Sequence, residues 1–499
     1  MIDRVNSKGW WQETFSPGCV SVRKVALPFG RENRVSNDRL SPLDASFLHL
    51  EDDVSHMHIA SVAIFEGPPP LFTDVLAMVD AKLALVPRYR QVVRTVPFDL
   101  GRPVWADDPH FNIEYHLRHT ALPAPGSDEQ LRNLVGRVMS QQLDRSKPLW
   151  EIWMVEGLED GRWAMLSKTH HAMVDGVAGT DLLAVIMDIS PDAERPEPVA
   201  WEPQPTPDGR RLATDAMVDF VRSPYEQVRA ARSSTRFVRQ AAAYSKEVVG
   251  GLVAMAGLVR PTPVSSLNGP IGPHRNYAWA STSVDDIKRV RKAVGGTFND
   301  VILASITSGF RDLLLSRGES VDRVVRTLVP VSVRPRDSSG RAVGDGTYEN
   351  KVSAMFAELP VSIEDPAERL HAITKQMDGL KDSKQAVAGE ALTSLSGFAP
   401  PMLLAAGMRV ATRAAQRNVN TITTNVPGPQ FPLYAAGRKM IRAFPYVPLG
   451  GQMRIGIAIF SYNGEVNFGI TGDYDTTADL DVLTSGIEDG MAQLLKLSE

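Results

Sequence analysis

An apolar strand-like run, Trp163-Ala164-Met165-Leu166-Ser167-Lys168, leads into His170-His171-Ala172-Met173-Val174-Asp175-Gly176, and a second apolar run from Val177 to Ile189 reads as a helix. A strand, a tight turn and a helix in succession place the chain in the α/β class. Such a turn can hold a side chain rigidly while it faces a channel. An imidazole titrates near neutral pH, so it can take a proton from a hydroxyl and return it to a leaving group. Asp175 follows His171 too closely to orient its ring from a straight strand, and is expected to turn back, hold the loop and pair with an arginine. Gly176 leaves room for a substrate to approach. Successive strand residues face opposite sides, so one histidine is free for chemistry while the other packs in the interior. Taken alone, seven residues also fit a structural turn around a satisfied core histidine.

No metal site is expected. Adjacent histidines do not readily share one ion, and no His or Cys follows at ligand spacing. His56 and His58 share a strand face but lack a third ligand nearby. The single cysteine, Cys19, excludes an internal disulfide framework. No Gly-x-Ser-x-Gly elbow is present to carry an acyl-serine. A formal net charge of −4 argues against general nucleic-acid binding, and 43% hydrophobic with 22% charged residues describes a soluble globular protein. Residues 1–39 carry charges throughout and lack the apolar core of a secretory signal.

Punctuation along the chain divides it into four parts. Residues 1–39 read as a flexible extension. Residues 40–195 alternate strands and helices, including a strand over His58–Phe65 and helices over Leu71–Leu85 and Glu129–Leu143. Residues 196–267 hold a proline-rich linker and a basic helix, and residues 268–499 form a second α/β half. Helices are expected there over Val284–Val294, Val301–Leu315 and Leu480–Leu497. Strands are expected over Thr327–Val333, Lys351–Leu359, Met453–Phe460 and Glu465–Thr471, the last two joined by an Asn463-Gly464 turn. Arg229, Arg232, Arg236, Arg239 and Lys246 fall on one face of the linker helix. That stripe reads either as a dock for anionic membrane or a lipid droplet, or as a solvated face between domains. Between Glu390 and Arg409 the chain is uncharged but broken by Pro400-Pro401, which fits a buried helix pair better than a membrane span or a lipid-facing lip.

Several further blocks occur in order: Leu40-Ser41-Pro42-Leu43-Asp44-Ala45-Ser46-Phe47-Leu48, Val86-Pro87-Arg88-Tyr89-Arg90-Gln91, Trp105-Ala106-Asp107-Asp108-Pro109-His110-Phe111 and Leu143-Asp144-Arg145-Ser146-Lys147-Pro148-Leu149-Trp150-Glu151. Asn299-Asp300, Val329-Pro330-Val331-Ser332-Val333-Arg334, Asn425-Val426-Pro427-Gly428-Pro429 and Asn467-Phe468-Gly469 follow. Together with the paired histidines, these blocks resemble the bacterial wax ester synthase/acyl-CoA:diacylglycerol acyltransferase family from residue 40 nearly to the C-terminus. Where family members often carry Gly-Asn, this chain has Glu349-Asn350.

The resemblance implies two chloramphenicol-acetyltransferase-like, condensation-domain-like α/β halves with an active-site tunnel at their interface. It implies transfer of a fatty acyl group from coenzyme A to an alcohol, with His171 as general base, His170 structural, Asp175 supporting the loop and Gly176 giving access. Asn299 becomes a candidate donor to the oxyanion, with Asp300 beside it; Thr297 to Asp300 also fits a helix cap, and both roles can hold together. No cofactor is implied, since acyl-CoA is a co-substrate. Diacylglycerol is the acceptor by the family's habit, giving triacylglycerol, and a long-chain alcohol giving wax ester is the alternative. The expected location is cytoplasmic, peripheral on the inner membrane or on lipid droplets. Two rivals remain at this level: condensation from a carrier-bound acyl donor, and a lipid-binding protein with a decayed site.

Overall fold

The computed structural model describes residues 39–97, 101–174, 185–194, 200–215, 217–218, 265–332, 352–382 and 419–499. The basic stripe at 229–246, the segment 390–409, Cys19, Asp175, Gly176 and the Glu349-Asn350 departure lie outside them.

In the first half, helix α1 (Pro42–Leu50) begins at Ser41, whose side chain accepts from the Asp44 amide. There follow β1 (His58–Phe65), α2 (Phe72–Leu83), the small hairpin strands β2 (Gln91–Arg94) and β3 (Val104–Asp107), α3 (Ile113–His116), β4 (Leu117–Ala121), α4 (Asp128–Met139), β5 (Trp150–Glu156) and β6 (Trp163–His170). In the second half come β7 (Arg275–Ser283), α5 (Val284–Val294), α6 (Phe298–Ser316), β8 (Val325–Ser332), β9 (Val352–Leu359) and α7 (Pro366–Asp382). The chain ends with β10 (Thr421–Pro427), β11 (Tyr434–Ala435), β12 (Arg438–Tyr446), β13 (Ile455–Tyr462), β14 (Glu465–Asp473) and α8 (Leu480–Lys496).

Two six-stranded sheets result, in the orders β11-β12-β1-β6-β5-β4 and β7-β14-β13-β10-β8-β9. The first is not built from the first half alone. Residues 434–446, which the sequence division assigns to the second half, cross over, and β12 pairs antiparallel with β1, Val62 opposite Phe444. Alternation explains why β1 and β6 lie inside. Ala63, Phe65, Trp163 and Met165 belong to the core shared with α1 and α2. Their neighbours Val62, Ile64, Ala164 and Leu166 join α4, Tyr277, Phe444 and Tyr446 in a core between the halves. Every residue of β6 is buried, even Lys168. Its ammonium donates to the carbonyls of Val138, at 2.9 Å, and Gln141. A buried cation at the end of α4 thus satisfies carbonyls that the helix leaves open. α4 stops at Met139, four residues short of the expected Leu143, with Ser140 as its cap and the Ser140 hydroxyl donating to the Gly136 carbonyl.

In the second half, Ile455, Ile457, Ile459, Val466, Phe468 and Ile470 face helices α6, α7 and α8. The opposite face of that sheet meets the first half across β12. Trp279 stacks on Phe444 at 4.5 Å, and the Tyr277 hydroxyl donates to the Pro445 carbonyl at 2.8 Å. The expected hairpin is present: Tyr462 pairs with Glu465, and Asn463 and Gly464 take φ of 46° and 88°, as a two-residue turn of this kind requires.

Candidate active site

Strand β6 ends between the two histidines. His170 is its last residue, and His171 opens a short 3-10 turn, His171–Met173. The His171 amide is pinned to the Met57 carbonyl at 2.8 Å. The two rings take different partners. His171 lies face to face with Phe47 of α1, centroids 3.9 Å apart and planes at 24°. Its Nδ1 is buried and has no hydrogen-bond partner among the described residues. Burial, with a smaller contribution from His170, lowers its pKa from 6.5 to about 4. The ring is therefore neutral at physiological pH, the state a proton acceptor needs.

His170 instead meets a polar cluster in which the His170, His58 and Glu51 side chains are buried. Its Nδ1 accepts the Ala172 amide at 3.0 Å, which places the proton of a neutral ring on Nε2; that nitrogen lies 3.6 Å from Glu51 Oε2, an ion-pair distance just beyond a hydrogen bond, and has no hydrogen-bond partner among the described residues. His58, directly opposite His170 in the β1–β6 register, places Nε2 3.3 Å from Glu51 Oε1. Arg145 donates to Glu51 through Nε at 3.0 Å and through Nη2, and binds the Leu48 carbonyl at 3.0 Å. Burial would raise the Glu51 pKa. Contacts with His170, His58 and Arg145 more than reverse this and hold it well below the usual carboxylate range. Nothing in the spacing of the chain announces Glu51 or Arg145. Arg145 stands inside a block that carries the family resemblance, but its partner lies 94 positions earlier and is found only through the fold.

His56 and His58 do approach one another, with ring centroids 5.5 Å apart. Among the described residues no group of His, Cys, Asp and Glu is arranged to hold a metal ion. Asp300 acts as a cap: its carboxylate accepts the Thr297 amide at 2.8 Å while the Thr297 hydroxyl accepts the Asp300 amide, a reciprocal box at the start of α6. Asn299 is exposed beside it, and its side-chain oxygen accepts from the Asn425 amide at 2.6 Å. With that oxygen committed, the Asn299 NH2 is the group left to donate to a ligand. No hydrogen bond joins Asn299 or Asp300 to His171 among the described residues.

The buried neutral histidines carry a pH signature. Burial lowers His58 to about 3, His116 to about 4 and His171 to about 4, each from 6.5. The unfolded chain therefore takes up these protons first as pH falls. Their contribution to stability is complete above about pH 6.5 and is lost progressively on the way down to the folded values. The urea midpoint is expected to fall between about pH 7.5 and about pH 5. A midpoint that stays level across that interval would show that these rings are not neutral inside the fold.

Comparison with solved structures first defines the class. Over 92% of this chain and 96% of the other, the fold matches the first condensation domain of a calcium-dependent antibiotic synthetase, with TM-score 0.57 at 17% identity, which is a likeness of fold. A wax ester synthase/diacylglycerol acyltransferase from Marinobacter aquaeolei VT8 matches over 92% of this chain and 99% of its own, with TM-score 0.66 and 26% identity. The architecture is thus the two-sheet α/β fold of condensation domains and acyltransferases.

Sequence models narrow this further. The wax ester synthase/diacylglycerol acyltransferase catalytic domain matches residues 40–302, and the WS/DGAT C-terminal domain matches residues 348–495. A Mycobacterium tuberculosis H37Rv protein named "Probable diacyglycerol O-acyltransferase tgs1" is 36% identical over 465 residues, covering 93% of this chain and 96% of that protein. The chain belongs to the wax ester synthase/diacylglycerol acyltransferase family.

Proposed function

We propose that this protein transfers a long-chain fatty acyl group from acyl-CoA to diacylglycerol, forming triacylglycerol, with His171 as the general base. The observation that supports this best is a neutral imidazole at the end of β6, stacked on Phe47, on a residue whose backbone amide is bonded to the Met57 carbonyl. In the proposed reaction acyl-CoA and the alcohol enter a tunnel between the two halves. His171 takes the hydroxyl proton as the oxygen attacks the thioester carbonyl. The Asn299 amide donates to the oxyanion, its own oxygen tied back by Asn425. Collapse of the tetrahedral intermediate breaks the carbon–sulfur bond, and the coenzyme A thiolate recovers the proton from protonated His171. Asp175 and Gly176 keep the loop-support and access roles that the family resemblance implies.

Diacylglycerol as acceptor follows the tgs1 relative's name, while the Marinobacter relative is named for both activities. No described helix is long and apolar enough to cross a membrane. We extend the proposal to peripheral contact with a lipid surface through the basic stripe Arg229 to Lys246, on sequence alone. Labelled palmitoyl-CoA supplied with diacylglycerol or, separately, with hexadecanol tests the reaction. Triacylglycerol is the expected major product. A predominance of wax ester would reassign the acceptor, and no product from either by a folded protein would overturn the reading.

A further inference from the structure

Glu51 is the C-terminal cap residue of α1, its amide bonded to the Phe47 carbonyl at 3.3 Å, one helical turn back. That turn therefore carries two side chains, each facing a different histidine: Phe47 stacks on His171, and Glu51 faces His170. The Glu51 carboxylate is 1% exposed, so it is not a solvated surface charge. A buried carboxylate is costly unless it is paired and has a position to hold.

We propose that Glu51 is a positioning residue for acyl transfer, which fixes the ring tautomer of His170 and thereby the turn that presents His171. A carboxylate beside Nε2 favours the tautomer that carries its proton there. Only that tautomer leaves Nδ1 free to accept the Ala172 amide, and that bond closes the turn beginning at His171. Without the carboxylate, a proton on Nδ1 would face the Ala172 N–H donor to donor and open the turn. Arg145 holds Glu51 from outside, and His58 packs on its other oxygen. The proposal rests on His171 being the base, and its test separates the two.

The experiment compares Glu51→Leu, Glu51→Gln, His170→Ala, the Glu51→Leu/His170→Ala double variant and His171→Ala in the full-length protein. Arg145 is 46% exposed, so its charge regains water when Glu51 is replaced and the fold is not left with a stranded ion. Glu51→Leu is expected to lower kcat about tenfold to a hundredfold with KM within about twofold, the cost of a misplaced base. Glu51→Gln, whose side-chain oxygen keeps an acceptor facing Nε2–H, is expected to recover most of that loss. The double variant is expected to be no slower than His170→Ala, since Glu51 acts through that ring. Nitrogen-15 shifts of the wild-type histidines are expected to show His170 protonated on Nε2. A wild-type kcat in folded Glu51→Leu, or fully additive losses in the double variant, overturns the positioning role. So does His170 protonated on Nδ1, a result that stands even if Glu51→Leu does not fold. Retained activity in His171→Ala would instead overturn the base assignment itself.

Discussion

His171→Ala is expected to lower kcat about a hundredfold to ten-thousandfold, the usual worth of a positioned general base, while the protein stays folded. The reason is local. The ring lies at the end of β6, stacked on Phe47, and its Nδ1 makes no hydrogen bond among the described residues. Its removal deletes a proton acceptor without stranding a partner. His170→Ala acts differently. That ring accepts the Ala172 amide and faces Glu51, so its loss disturbs the turn and leaves a buried N–H without its acceptor. A smaller fall in kcat, with measurable loss of stability, is expected. Steady-state rates with palmitoyl-CoA beside a denaturation curve for each variant distinguish the two. Equal falls in kcat in two well-folded variants would contradict the division of roles.

Gly469→Ala is expected to destabilise the protein by about 1–3 kcal/mol or more, although it adds only one methyl group. A Cβ at this position would sit 1.6 Å from the Pro445 carbonyl oxygen and 2.7 Å from the Tyr277 hydroxyl. The obstructing oxygen belongs to the backbone of β12, at a residue paired with Ser61 of β1, and cannot swing aside as a side-chain tip would. The two sheets approach closely here because one of them has no side chain at the contact. Gly379→Ala, in α7, is the internal control. Nothing lies within 4 Å of its Cβ position, so the same change should be neutral or stabilising, by up to about 1 kcal/mol. The urea midpoint should fall for Gly469→Ala and stay level or rise for Gly379→Ala. A Gly469→Ala protein as stable as wild type would mean that β12 and β14 are not in contact as described.

Much of the fold was legible because it follows short-range rules. The β1 strand falls on His58–Phe65 as expected, α5 on Val284–Val294, and the Asn463-Gly464 turn joins β13 to β14. Alternation, helical period and turn chemistry act over a few residues, so they can be read from a few residues. Three elements ran against that reading. β12, Arg438–Tyr446, carries three charged residues and a proline, and it is a strand because β1 offers it an open edge. β10, Thr421–Pro427, lies in a polar stretch rich in proline, and is held parallel between β13 and β8. The end of α4 falls four residues early, where its Val138 carbonyl is met by the Lys168 ammonium from β6.

The same division runs through the site. His170 and His171 were visible in the chain because adjacent imidazoles at a strand end must face apart, and Thr297 with Asp300 because a capping box has a fixed spacing. Glu51, Arg145 and Phe47 were not visible as a group. They lie up to 124 positions from the histidines they serve and meet them only when α1, the loop before β5 and the β1–β6 pair pack together. By itself the sequence determined the chemistry available, an imidazole on a turn and an amide at a helix start, since these depend on residue type and near neighbours; burial in the fold then makes the imidazole neutral. Tertiary structure alone decided which histidine stacks on an aromatic ring and which faces a buried carboxylate, because burial and charge at a site are set by everything that packs around it.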